Sequence, residues 1–177
     1  MKRKVLGHDL KGIVVQKLAD RGVLLTDIAH LVYTMQLPYN PDLTMDTCLS
    51  HIEAVLAKRE MQHAILIGIE LDEMAENKWL SEPLQSIIES DDPLFGCDET
   101  LAAGACAGYG SIAFTTFGYL DKQKVGVIQK LDSRPAEEVH TFLDDLIAAI
   151  AAAACGRVAH HVRDDEEDKH RKETRVS

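Results

Sequence analysis

The run Leu143-Asp144-Asp145-Leu146-Ile147-Ala148-Ala149-Ile150-Ala151-Ala152-Ala153-Ala154-Cys155-Gly156-Arg157-Val158 decides the fold. Leu143, Leu146, Ile147, Ile150, Ala154 and Val158 recur at i, i+3, i+4, i+7, i+11 and i+15, one face of an α-helix. From Leu146 to Cys155 the run is uncharged and rich in alanine, so a neighbouring helix can approach its backbone closely. The face formed by Ala148, Ala149 and Ala152 suits such packing, within the chain or against a second copy in a homo-oligomer. Residues 1–162 read as one helical domain, and residues 163–177 as a charged, disordered tail.

Outward from this helix the same period recurs. Leu10, Ile13, Val14 and Leu18 make a stripe ended by Gly22. Thr26 and Asp27 are placed to cap a second helix with Ile28, Leu31, Val32 and Met35 on one face, closed by Pro38. After the turn Tyr39-Asn40-Pro41-Asp42, a longer pattern runs from Thr44 through Leu49, Ile52, Val55 and Leu56 to Met61, Ile65 and Ile69. Ser81-Glu82-Pro83 opens a further helix and Asp91-Asp92-Pro93 closes it. No stretch has the alternation or β-branched density of a strand. The expectation is an all-α, single-domain bundle of about six or more helices.

A chain of 177 residues is long enough to bury a core without disulfides or metals. Its 29 acidic and 19 basic residues, a net charge of −10, argue against a nucleic-acid partner, since phosphate backbones need basic patches. The excess is concentrated in residues 70–99, where ten acids face Lys78 alone, and this window reads as a solvated face. Met1-Lys2-Arg3-Lys4 is basic, but His8, Asp9 and Lys11 interrupt any apolar core of an export signal. Cys48, Cys97, Cys106 and Cys155 form no Cys-x-x-Cys pair and read as free buried thiols of a cytoplasmic protein. Trp79 reads as a core residue, and His160-His161 as a pair suited to the last helix's C-terminal dipole rather than to a metal.

Thr100 to Leu120 is 21 residues without a charge, close to the roughly 20 that span a bilayer. Four glycines, three threonines, Ser111 and two tyrosines make it too polar for that, so it reads as a buried helix or helix pair. Acids bracket it: Asp98-Glu99 before, Asp121 after, and Asp144-Asp145 opening the last helix. Singly, each has an ordinary explanation: Asp98 as a helix cap, Thr141 and Asp144 as a capping box, Asp121 as a surface partner of Lys122 or Lys124. Together, converging carboxylates in apolar surroundings need a compensating cation, and an all-oxygen set favours Mg²⁺. One straight helix over 98–121 would hold its ends about 35 Å apart. A shared site therefore requires a break, at Gly108-Tyr109-Gly110 or at Gly118. Adjacent helical residues point about 100° apart. If Asp144 caps, Asp145 is the better ligand.

The order Asp98-Glu99, then Phe117-Gly118-Tyr119-Leu120-Asp121-Lys122-Gln123-Lys124, then Leu143-Asp144-Asp145 resembles the phosphatidylglycerophosphatase A family. Leu31-Val32-Tyr33, Pro41-Asp42-Leu43-Thr44 and Val55-Leu56-Ala57-Lys58-Arg59-Glu60 resemble its soluble, YutG-like branch, the low-temperature requirement C proteins. The branch implies a compact bundle around a buried central helix. The family implies Mg²⁺-dependent hydrolysis of the phosphomonoester of phosphatidylglycerophosphate, in lipid metabolism, by a cytoplasmic protein that meets its substrate at the membrane surface. By motif it implies Asp98, Glu99, Asp121, Asp144 and Asp145 as metal ligands and Asp121, Lys124 and Asp145 as catalytic groups, with Lys124 stabilising phosphate charge.

Some family positions differ. Gly118 stands where the motif has arginine, Val125 and Val127 where it has prolines, and Ala102 and His140 where it has glycines. The acids that would hold a metal are kept more fully than the groups that would hold a substrate. A non-catalytic helical module, keeping the acids as a structural metal or capping network, is the alternative. An all-α nucleotide pyrophosphohydrolase ranks last, because its glutamate-rich helical spacing is absent.

Overall fold

A computed structural model of the chain describes residues 7–133 and 138–176; the basic run at residues 1–4, and Ser177, lie outside the described residues. Among the described residues every regular element is helical: α1 (Gly7–Asp20), α2 (Leu25–Gln36), α3 (Met45–Leu56), α4 (Arg59–Glu76), α5 (Leu84–Glu89), α6 (Cys97–Cys106), α7 (Gly110–Gln123), α8 (Val127–Asp132) and α9 (Leu143–Val176). A single 3-10 turn, Ala107–Tyr109, joins α6 to α7. None of these helices is long and apolar enough to cross a membrane.

The alanine-rich half of α9 is the centre of the bundle. Every residue from Leu146 to Cys155 is fully buried, and α2, α3, α4, α6, α7 and α8 all pack on this helix. The small side chains thus serve helix packing within the chain, including the face at Ala148, Ala149 and Ala152. α4 approaches α9 tightly at Gly68, where a Cβ would overlap Leu146 Cδ1 and lie 2.9 Å from Phe142 Cβ. The approach to α9 is tied down by a two-point ion pair. Arg21 donates to Glu76 Oε2 at 2.9 Å and Oε1 at 2.6 Å, and also to the Val139 carbonyl at 2.6 Å. The Val139 N–H returns to Glu76 Oε1 at 2.9 Å.

Several local expectations change. The long pattern from Thr44 is two helices: Thr44 caps α3, the chain turns at Ala57-Lys58, and Gln62 Nε2 seals the junction on the Leu56 carbonyl at 2.8 Å. That turn lets Val55 and Leu56 face the same core as Met61 and Ile65. α2 begins one residue before Thr26, with Asp27 reaching back to the Leu24 N–H at 3.0 Å. The segment 163–176, expected as a disordered tail, continues α9, with charge pairs at helical spacing such as Arg163–Glu167 supporting it. His160 and His161 therefore lie within the helix and not at its end. Trp79 is 71% exposed, not core. Cys48, Cys106 and Cys155 are buried free thiols, whereas Cys97 is exposed.

The close approach at Gly68 makes its sign of substitution opposite to that of an open helical glycine. Gly68→Ala should cost about 1–3 kcal/mol by overpacking, while Gly12→Ala in α1, with nothing within 4 Å, should gain up to about 1 kcal/mol. Urea unfolding of both variants measures this; equal effects would contradict the packing.

The Arg21–Glu76 pair predicts a pH dependence. Burial alone would raise the Glu76 carboxyl, but the bonds from Arg21 and Val139 outweigh it and hold it below the usual range. Its stabilisation is then full above the unfolded carboxyl value of about 4.3 and is lost as pH falls through the lower folded value. Glu76→Gln should cost about 2 kcal/mol at pH 7 and progressively less towards pH 3. A loss independent of pH would contradict the pair's role.

Candidate functional site

The break anticipated in the uncharged segment occurs at residues 107–110, where Gly110 takes a φ of +80° that suits only glycine. Gly118 lies inside α7 and bends nothing. The break folds α7 back, so that Asp98 and Glu99 in the first turn of α6 come near Asp121 in the last turn of α7. The pair is buried on one face only; Ile112, Phe114 and Tyr119 on α7 stay exposed.

Asp98, Glu99, Asp121, Lys124, Asp144 and Asp145 all line one cavity of about 340 Å³, together with Asp91, Asp92 and Lys122. Lys124 is at its heart. It ends α7 in the left-handed region, with φ of +44° and ψ of +59°, a strained conformation for a side-chain-bearing residue. Its ammonium donates to Asp121 Oδ1 at 2.8 Å, Asp144 Oδ2 at 2.6 Å and Asp145 Oδ1 at 3.3 Å. Burial works against this ammonium, but Asp144, Asp121 and Asp145 outweigh it and hold the lysine protonated beyond its ordinary range.

One ammonium does not balance so many acids. Burial, then Asp144 and Asp121, push the Asp145 carboxyl up to about 9. Burial pushes Asp144 up to about 6, against the opposing pull of Lys124. Burial, with Glu99 adjoining, raises Asp98 to about 7. Asp98, Glu99 and Asp145 each present an oxygen within 4.8 Å of the others. Moreover Asp98 Oδ1 and Glu99 Oε2 are buried without any hydrogen-bond partner. Orphaned acceptors in a buried acidic cluster are what a hard cation would satisfy, so these residues fit a divalent metal. Asp121 and Asp144 stand outside this triad of oxygens and hold Lys124 instead.

The first turn of α9 is held from below. Asp72 of α4, fully buried, accepts from the N–H groups of Phe142 at 3.1 Å and Leu143 at 3.0 Å. The capping box at Thr141 and Asp144 does not form; Thr141 donates to the Ile88 carbonyl at 2.6 Å. Asp144 Oδ1 accepts from the Asp145 N–H at 2.8 Å, leaving Oδ2 to Lys124 and Asp145 turned towards Asp98 and Glu99. Asp98 is not a cap either, since α6 starts from Gly96. The acidic window 70–99 is correspondingly more than a solvated face, because Asp72 and Asp98 are buried and Asp91 and Asp92 line the cavity. The sequence carried a signal for Asp72: it falls three residues after Ile69 and seven after Ile65, on the apolar stripe.

A family model described as Phosphatidylglycerophosphatase A matches residues 14–160. The Bacillus subtilis (strain 168) protein YutG, named as uncharacterized, is 52% identical over 150 residues, spanning 85% of this chain and 90% of its own length. YpjQ of the same organism, also named as uncharacterized, is 46% identical over 175 residues, 98% of each chain. Among solved structures, that of ypjQ from Bacillus subtilis superposes with a TM-score of 0.86 at 47% identity, covering 90% of this chain and 99% of its own. The low temperature requirement C protein from Listeria monocytogenes gives 0.85 at 49% identity, covering 87% and 97%.

Removing the central cation should expose the charge imbalance. Lys124→Met is expected to destabilise the metal-free protein by about 3–5 kcal/mol, because three carboxylates lose their shared partner. Denaturant unfolding in the presence of EDTA tests this; wild-type stability would contradict the account.

Proposed function

The chain belongs to the phosphatidylglycerophosphatase A family, and from that membership together with the cavity at Lys124 we propose that it is a Mg²⁺-dependent phosphatase acting on a phosphomonoester, with phosphatidylglycerophosphate as substrate and phosphatidylglycerol as product. The observation that carries the reading is the convergence of acids from three motifs on one cavity, with Asp98 Oδ1 and Glu99 Oε2 buried and unpartnered. Asp98, Glu99 and Asp145 would hold the metal, and their all-oxygen chemistry suits Mg²⁺ over softer ions. A divalent cation bound there supplies polarisation of a phosphoryl oxygen and activation of the attacking group.

The chain's own residues do the rest. Lys124 keeps its proton and offers fixed positive charge to the phosphoryl oxygens as charge develops on them. Asp144 and Asp121 grip that ammonium from two sides and orient it. The Asp121 side chain is 31% exposed, against 8% for Asp144 and 3% for Asp145, so it is the acid that meets substrate at the cavity mouth. Hydrolysis forms a bond from phosphorus to the attacking oxygen and breaks that to the lipid alcohol, which leaves with a proton as inorganic phosphate is released. The exposed, uncharged face of α7 with Ile112, Phe114 and Tyr119 suits an encounter at a membrane surface.

A non-catalytic reading draws on one specific feature: Gly118 has nothing within 4 Å of a Cβ position, where the family motif places a phosphate-binding arginine. The two readings part on turnover. With Mg²⁺ and phosphatidylglycerophosphate in mixed micelles, the wild type should release inorganic phosphate. Asp121→Asn should lose at least about 100-fold of that rate with its helicity intact. Equal release by the variant would remove Asp121 from the chemistry. A wild type stabilised by Mg²⁺ but without turnover would favour the non-catalytic module.

A further inference from the structure

A second cleft, of about 700 Å³, lies between the α3–α4 junction, the turn from α6 to α7, and α9. It shares no lining residue with the carboxylate cavity. Arg157, which lines it, follows Asp145 by twelve residues along α9, about 18 Å of helix. In a chain with a net charge of −10, this cleft gathers Lys58, Arg157, His160 and His161.

Two polar atoms of its lining residues, Arg157 Nε and Tyr109 Oη, are buried and bonded to nothing, as is Nδ1 of His51 behind the lining. His51 stacks edge-on against His161, with ring centroids 5.1 Å apart. Arg157 makes no ion pair with any described carboxylate, although Glu60 and Asp164 line the same cleft. A buried Nε without an acceptor is uncommon in folded proteins, and the guanidinium that carries it has a fork of N–H donors that matches a phosphate. His160 Nε2 lies 3.7 Å from where a Cβ on Gly110 would stand, so the backbone turn forms one wall beside these donors.

We propose that this cleft is a second binding site, for a small phosphorylated polyol. Arg157 takes the phosphate, with Tyr109 Oη and Lys58 adding donors around it. Glu60 and Asp164 accept from hydroxyls of the organic part, and their charge disfavours a bare polyanion or an anionic membrane surface. A cleft of this volume has room for an ester beyond the phosphate itself. The site is independent of the metal-dependent chemistry proposed for the carboxylate cavity.

Calorimetric titration of the full chain with glycerol 3-phosphate, in EDTA so that no metal contributes, tests the site. Saturable one-to-one uptake is expected for the wild type, weakened at least tenfold in Arg157→Gln, intermediate in Arg157→Lys and unchanged in Asp145→Asn. Should Arg157→Gln fail to fold by circular dichroism, Tyr109→Phe is expected to weaken uptake at least threefold. The proposal is overturned by no saturable uptake in the wild type, or by full-strength uptake in a folded Arg157→Gln. Loss of uptake in Asp145→Asn, or binding only to vesicles with anionic headgroups, overturns it equally.

Discussion

The enclosure of α9 is the constraint on which the rest of the molecule depends. A helix buried on all sides from Leu146 to Cys155 carries its first turn into the interior, where four N–H groups lack intrahelical partners. Enclosed there, they call for protein acceptors. Asp72 takes two, and the Asp144 side chain takes the Asp145 N–H. The positive end of the helix dipole also favours negative groups at this point. Burial of the core helix and collection of carboxylates at its start are thus one event seen from two sides.

Charge balance then dictates the surroundings. Asp144 and Asp145 arrive with α9, Asp98 and Glu99 with α6, and Asp121 with α7, while Lys124 pairs with three of them, Asp121, Asp144 and Asp145. The strained backbone of Lys124 is held because three carboxylates bind its side chain. What they leave unanswered is the pair of orphaned oxygens on Asp98 and Glu99; burial, and then Asp144 beside it, raises the Asp145 carboxyl as well. Cation binding and stability would be coupled here, since the cluster costs folding energy that a bound cation would return.

Much of this was legible in the amino acids. The 3.6-residue period of α9 is undisturbed by charge, so its helicity and close packing were legible there, while a buried central helix was implied only by the family resemblance. That a shared site needs a break followed from length, because one straight helix cannot bring Asp98 to Asp121; the glycines offered two places for it, Gly108-Tyr109-Gly110 and Gly118, and did not choose between them. What stayed hidden depends on contacts far apart in sequence. Asp72 caps α9 across seventy residues, and nothing local to Asp72 names its partner. The Ala57-Lys58 turn interrupts a continuous apolar stripe without a proline or glycine to announce it. The helical continuation to Val176 shows the converse: a dense charge run resembles a disordered tail in composition, while its i,i+4 pairing also supports helix. Trp79 was misplaced because size and aromaticity say nothing of where a loop directs a side chain.

Asp98, Glu99 and Asp145 would hold a cation beside Lys124. Crystals soaked with Mn²⁺ as a stand-in for Mg²⁺ test it most directly through the anomalous difference map. A single strong peak is expected within coordination distance of Asp98, Glu99 and Asp145 oxygens, absent in Asp145→Asn crystals. No peak there, or one held elsewhere with these three carboxylates unligated, would contradict it.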